Sequence, residues 1–357
     1  MTERLADILA PLGDIGGATI HLGAGRVPKL RRGGALVAAR GAAPIAARDL
    51  EAMVRDAVPP EIWATQEATG SASVAVELEP LGRFRLQLFA RSDGLGVVLR
   101  PLVPAATLES LEVPRAFRSL LAALGSKTLL GGLVIVAGPC GSGKTTACHA
   151  ILRELGQRWD AHLATVEDPV ELVLPRTRST LSQWQVGRDV ASFSEGIDRA
   201  LHVSPDALLV TAMPDAETAE GVLAAAQGGL TVVVEIEADG VVRALESFVE
   251  RFEPRHHELV WERLASCLRG VISQLLIPGR DGSPCLAAEV LVGPRAGVIP
   301  GLSEGDGARL YEVMARAEVC QTRDEALLAL VDAGQIRAED AADHARDRSR
   351  FARPERA

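Results

Sequence analysis

The spacing of apolar residues divides the chain into three parts. Over the first hundred positions, short runs at Ala18 to Leu22, Ser73 to Leu78, Gly82 to Phe89 and Gly94 to Leu99 read as strands. In Arg83-Phe84-Arg85-Leu86-Gln87-Leu88-Phe89 the alternation places Arg83, Arg85 and Gln87 on one face and the apolar residues on the other. Helical spacing appears near Leu5 to Leu12 and Arg48 to Ala57. A small mixed α/β domain over residues 1–100 is expected, with Pro101 and Pro104 marking a linker over 101–106.

From Thr107 the pattern changes. Apolar blocks at Leu133 to Ala137, His162 to Val166, Ala207 to Thr211, Thr231 to Ile236 and Leu286 to Leu291 alternate with helical patterns at Ser194 to Leu201, Ala216 to Ala226 and His257 to Leu268. That is the pattern of a parallel α/β sheet, expected over 107–292, with a ligand at the C-terminal ends of its strands. Residues 293–357 read as a helical region. Thr322-Arg323-Asp324-Glu325 forms a capping-box pattern, Gly334 can end the helix that follows, and the charged stretch from Arg337 to Ala357 is expected to fray.

The most informative chemistry lies between the first buried strand and the helix after it. Gly138-Pro139-Cys140-Gly141-Ser142-Gly143-Lys144-Thr145 has the form G-x-x-x-x-G-K-[ST]. Its glycines let successive backbone N–H groups turn inward around a polyphosphate, Lys144 can neutralise it, and the Thr145 hydroxyl can ligate Mg²⁺. Candidate nucleotide-binding residues are therefore Gly138, Gly141, Ser142, Gly143, Lys144, Thr145 and Thr146.

Composition narrows the remaining classes. At 357 residues there is room for two or three domains, and the net charge of −9 argues against a general nucleic-acid binder. The arginines between Arg26 and Arg32 read as a solvated strand edge. Five cysteines, scattered and without metal-ligand spacing, read as reduced thiols. No apolar run approaches the roughly 20 residues of a bilayer span, and no signal peptide is evident at the N-terminus. The expectation is a cytoplasmic protein, compatible with a peripheral seat at an inner membrane.

Several stretches resemble the secretion ATPase superfamily, in its pilus retraction (PilT-like, twitching-motility) branch. Val166-Glu167-Asp168-Pro169-Val170-Glu171 is similar to the family's acidic box, and Pro205-Asp206-Ala207-Leu208-Leu209-Val210 to the approach to its Walker B strand. Phe193-Ser194-Glu195, Val271 to Ile277, Ile20-His21-Leu22, Arg83-Phe84-Arg85 and Thr322 to Ile336 extend the likeness over nearly the whole chain. The resemblance implies a PAS-like N-terminal domain, a RecA-like P-loop core and a C-terminal helical tail. It also implies ATP and Mg²⁺ as cofactors, a hexameric ring, and an inner-membrane pilus or secretion platform as partner. Glu167 would orient water or Mg²⁺ as the catalytic carboxylate, and Arg83 and Arg85 would reach the nucleotide.

The sequence departs from this family where hydrolysis is performed. The Walker B strand should end in Gly-Glu, and Thr211-Ala212 stands there. Asp206 lies at the other end of that strand. Glu235-Ile236-Glu237 replaces Thr-Leu-His, putting Glu237 in the histidine's place; Asp198 and His202 replace two helix arginines before the Walker B strand, and Pro214 replaces another arginine just after it. The retraction signature is reduced to Ala296-Gly297-Val298-Ile299-Pro300. A missing general base costs about 10² to 10⁴ in rate and a missing arginine about 10³ to 10⁵. The expectation is an ATP-binding subunit with weak or no hydrolysis and a structural or regulatory role, in a homo-hexamer or a mixed ring with an active paralogue. The alternative is an active hexameric motor in which Glu167, Asp215 or Glu237 activates water.

Overall fold

The computed structural model describes residues 5–9, 19–32, 35–39, 41–102, 107–124, 131–158, 160–172, 174, 178–293 and 307–351. The end of the opening helix, Ala18, most of the linker and the Ala296 to Pro300 signature lie outside them. The chain forms two compact units, Met1–Pro104 with Pro169–Val173, and Ala105–Asp168 with Leu174–Ala357.

The first unit contains α1 (Leu5–Leu9), β1 (Thr19–Gly23), β2 (Lys29–Arg32), β3 (Ala35–Ala38), α2 (Ala47–Ala57), α3 (Pro60–Thr69), β4 (Ser71–Leu78), β5 (Gly82–Arg91) and β6 (Gly94–Pro101). Among the described residues its strands form one antiparallel sheet in the order β3-β2-β1-β6-β5-β4. The period-two pattern has its expected effect: Phe84, Leu86 and Leu88 are buried with Ile20, Val97 and Leu99. Leu50, Met53 and Val54, at helical spacing on α2, join the same core. Two details differ from expectation. Phe89 falls on the arginine face by strand parity and is half-buried there. Lys29 to Arg32 are not a sheet edge, because β2 pairs with β1 on one side and β3 on the other.

The second unit contains α4 (Arg115–Leu124), β7 (Gly132–Gly138), α5 (Lys144–Arg158), β8 (His162–Glu167), β9 (Thr180–Gln185), α6 (Phe193–His202), β10 (Ala207–Val210), α7 (Ala216–Gln227), β11 (Thr231–Glu237), α8 (Val241–Val249) and α9 (His257–Cys267). It continues with β12 (Leu268–Pro278), β13 (Pro284–Val292), α10 (Gly307–Arg316), α11 (Arg323–Asp332) and α12 (Ala338–His344). Among the described residues one sheet runs in the order β13-β12-β7-β11-β10-β8-β9. Every neighbouring pair is parallel except β12 with β13. The strand at Leu286 to Leu291 was expected to point its C-terminal end at the ligand. It instead closes the sheet as an antiparallel edge strand, which a short turn after β12 can supply without a crossover helix.

Both faces of the central strands are covered, so β7 and β10 are apolar at every position that carries a side chain. Val134, Val136, Val233 and Ile272 pack with Cys148, Ile151 and Leu152 of α5 and Phe117 of α4. Ile135, Val210, Val234 and Ile236 face a second core with Ile197, Val222 and Phe248 from α6, α7 and α8.

The C-terminal helices are docked. Thr322 caps α11 with a complete capping box, and Gly334 beyond it has φ +70°. Arg323 pairs with Asp239, and both Asp324 carboxylate oxygens accept backbone N–H groups, from Arg346 at 2.8 Å and Asp347 at 3.0 Å. The expected fraying stops short of this segment: Ile336, Ala341 and Phe351 are buried with Ile277 and Leu327. Among the described residues no helix is long and apolar enough to cross a membrane.

Candidate functional site

The glycine loop is set at the C-terminal end of a fully buried strand. Gly138 has φ +152°, where an added Cβ would stand 2.2 Å from Ser142 Oγ and 2.5 Å from the Gln274 carbonyl oxygen. Only glycine allows the chain to leave β7 this closely packed. Gly143, at φ +86°, makes the final turn into α5. Lys144 is the first residue of α5, and its ammonium donates to the Gly138 and Pro139 carbonyls at 3.0 Å each. Ser142 Oγ is buried with no hydrogen-bond partner among the described residues.

Two clefts flank this loop. The larger, of about 730 Å³, is lined by Ser142, Gly143 and Thr146 from the loop and helix, with Gln274 from β12, Leu330 from α11 and Gln335 from the turn after it. The smaller, of about 270 Å³, lies against Lys144 and is lined by Ala212, Glu235, Glu237 and Arg251.

Behind the loop is a buried ionic pair. His149, one helical turn after Thr145, sits 3.1 Å from Glu167 through Nε2, and both side chains are 0% exposed. Its Nδ1 lies 2.8 Å from the Thr145 carbonyl oxygen. Both ring nitrogens thus face acceptors, which a doubly protonated imidazole satisfies. Burial pushes the His149 pKa down, but the hydrogen bond and charge of Glu167, with the Thr145 carbonyl, outweigh it and hold the pKa above its ordinary value. Thr165 Oγ1 donates to the other Glu167 oxygen at 2.6 Å, and Gln183 Nε2 donates to the same atom at 3.0 Å. Glu167, expected to orient water or Mg²⁺, is fully buried, with Oε1 accepting from Thr165 and Gln183 and Oε2 at ion-pair distance from His149.

The Thr145 hydroxyl donates to Glu235 Oε2 at 3.2 Å. Glu235 is 7% exposed and faces α5, where its charge, after burial itself, raises the pKa of the Cys148 thiol. Glu237, two residues on and on the same face, is exposed. Asp215 caps α7 by accepting the Thr218 N–H at 2.8 Å. Asp206 holds the opposite end of the sheet, accepting the His162 N–H at 2.7 Å. Arg83 and Arg85 meet the segment that follows Glu167: Arg83 Nη2 donates to the Val170 carbonyl at 2.9 Å, and Arg85 pairs with Glu171 at 2.7 Å.

Sequence reasoning missed His149, Glu235 and Arg251. The first two carried a signal: His149 follows Thr145 by four residues, hence on one helix face, and Glu235 precedes Glu237 by two, hence on one strand face. Arg251 follows α8 and enters the smaller cleft only through the tertiary fold, its Nη1 donating to the Pro214 carbonyl at 3.3 Å.

The site's own features fit a nucleotide with Mg²⁺. A cradle that a Cβ would fill, a buried hydroxyl awaiting a partner and a lysine over the loop suit phosphate oxygens. Among the described residues no three His, Cys, Asp or Glu side chains gather as a metal cage. The Thr145 hydroxyl, in the first turn of α5, is the kind of hard oxygen donor that Mg²⁺ takes from a protein beside phosphates and water.

A buried strand, glycine loop and helix, in a sheet whose parallel strands end beside the loop, define a RecA-like P-loop protein. The family model described as type II/IV secretion system protein matches residues 72–322. The type IV pilus retractation ATPase PilT of Pseudomonas aeruginosa is 29% identical over 345 residues, covering 96% of this chain and 98% of its own. The uncharacterized protein YggR of Escherichia coli is 32% identical over 276 residues, covering 76% and 82%. A crystal structure of the pilus retraction motor PilT with bound ADP superimposes with a TM-score of 0.85 at 27% identity, covering 98% of both chains. The chain belongs to the type II/IV secretion system protein family, in its PilT-like branch.

Proposed function

We propose that this chain is an ATP-binding, PilT-like subunit of a type IV pilus or type II secretion-type machine that turns nucleotide over slowly or not at all. One contrast in the smaller cleft carries the reading: Lys144 is in place there, with Thr145 next to it, whereas the chain beyond β10 supplies Ala212 and exposed Glu237 replaces the family's histidine. Gripping a triphosphate rests on the loop N–H groups, Lys144 and Thr145. Splitting it needs a carboxylate for water and positive charge on the transferring oxygens. Bound Mg²⁺ would neutralise phosphate charge beside the Thr145 hydroxyl. The buried Glu167–His149 pair braces the first turn of α5 through the Thr145 carbonyl. Family membership supports the further reading of a cytoplasmic homo-hexamer, or a mixed ring with an active paralogue, seated at an inner-membrane platform.

A second reading, an active retraction motor, is favoured by Arg251 and Glu235, a cation and a carboxylate lining the same cleft. Mg-ATP affinity and phosphate release measured on one preparation separate the two. Binding that is lost in Lys144→Ala, with turnover about 10²-fold or more below that of P. aeruginosa PilT assayed alongside, fits the first reading. Matched turnover overturns it.

A further inference from the structure

We infer that Glu235 is the carboxylate of this chain's divalent-cation site, working with Thr145 in place of the acid missing after β10. The inference rests on the nucleotide-binding reading and adds a ligand to it. Its foundation is the order of strands. β11 lies directly beside the loop strand β7, with Glu235 opposite Val136 and Glu237 opposite Gly138, while β10 is one strand further out. At a strand spacing of about 4.8 Å, an acid on β11 stands one step from the loop strand and an acid after β10 stands about 10 Å away. A residue on β11 therefore meets Thr145 directly, and the 3.2 Å hydrogen bond is that meeting.

The bond also sets the hydroxyl's orientation. Thr145 gives its proton to Glu235, which leaves its oxygen lone pairs available to a cation at the mouth of the loop. Among the carboxylates near this cleft, Glu235 alone combines three properties: it lines the cleft with Lys144, it is almost wholly buried, and it is joined to the loop threonine. Glu167 is sealed against His149, and Asp215 is occupied as a helix cap. Glu237 is exposed, and no bond joins it to the loop among the described residues. A buried acid at this position also opposes phosphate in the absence of metal, so the cation becomes a condition of tight binding rather than an accessory.

The test measures ADP and ATP affinity by calorimetry in EDTA and in Mg²⁺, for the wild type, Glu235→Gln, Glu235→Asp and Glu237→Gln. Mn²⁺ with ADP, followed by electron paramagnetic resonance, reports the cation directly. Wild type is expected to bind more tightly with Mg²⁺. Glu235→Gln should lose about 10- to 100-fold of that gain, bind metal-free ADP as well as or better than wild type, and release Mn²⁺. Unimpaired metal-free binding shows that the variant is folded. Glu235→Asp should keep part of the gain and Glu237→Gln all of it. An unchanged Mg²⁺ gain in Glu235→Gln, or its loss in Glu237→Gln instead, overturns the assignment while leaving nucleotide binding intact. A wild type that binds neither nucleotide with or without metal overturns the binding reading and the assignment together.

Discussion

Replacing Glu167 by alanine and by glutamine separates a structural carboxylate from a reactive one. The side chain and His149 are both fully buried and 3.1 Å apart, so alanine leaves an imidazole between the Thr145 carbonyl and an empty space. Removing one partner of a buried pair costs about 3–5 kcal/mol. Glutamine is nearly the same shape: its carbonyl can accept from Thr165 and Gln183 while its amide donates to a neutral His149, whose Nδ1–H keeps the Thr145 carbonyl. The loss then shrinks to about 1 kcal/mol, the difference between a charge-assisted and a neutral hydrogen bond. At about 2–4 °C per kcal/mol for a unit of this size, alanine should lower Tm by roughly 6–20 °C and glutamine by roughly 2–4 °C. Calorimetry in nucleotide-free buffer reads both. Because the folded His149 pKa is raised above its ordinary 6.5, the pair's contribution is complete below that value and is lost as pH rises through the folded pKa. The gap between wild type and Glu167→Gln should therefore be widest near pH 6 and close toward alkaline pH. Equal losses in the two variants, or a gap that widens with pH, would refute a protonated His149 held by Glu167.

Other perturbations test other parts of the chain. Lys144→Ala should abolish saturable ATP binding in a fluorescent-nucleotide titration while leaving Tm without nucleotide within a few degrees, since the lysine contacts only loop carbonyls among the described residues. Gly138→Ala should weaken nucleotide binding and lower Tm together, because its Cβ would meet Ser142 Oγ at 2.2 Å and the backbone has φ +152°. Thr322→Ala removes the side-chain half of the capping box, leaving Glu325 to accept from the backbone N–H of position 322, and should cost about 1 kcal/mol, seen first as faster amide exchange in α11.

The parts of the fold legible in the sequence are those in which one residue pattern admits one local structure. The apolar block at Leu133 has no polar face, and Val232 to Val234 are apolar on both, so these strands belong to a sheet covered on both sides. The Thr322-to-Glu325 spacing satisfies two helix-end donors and defines the start of α11. Less legible were elements whose character comes from their neighbours. Thr180–Gln185 contains polar residues at nearly every second position and is a strand because β8 lends it an edge. Val271 to Ile277 stood out as a likeness to the family, but that it runs parallel to β7 depends on α9 returning the chain to the far side of the loop strand.

The same distinction governs the site. A motif fixes contacts among residues close in sequence, so the loop could be read in advance. The acid that answers Thr145 lies 90 positions away and is chosen by strand order. Reading the altered box as Glu237 in place of a histidine followed sequence correspondence, which assumes that function stays at its aligned position. In space the nearer acid is the one two residues earlier. Strand parity puts both on the α5 face, but only Glu235 is far enough from the strand end to be enclosed, at 7% exposure, and to meet the threonine. A sheet that inserts β11 between the loop strand and β10 offers two places for a carboxylate near bound phosphate. The acid missing after β10 bears on turnover, and the acid kept on β11 bears on the cation beside Thr145.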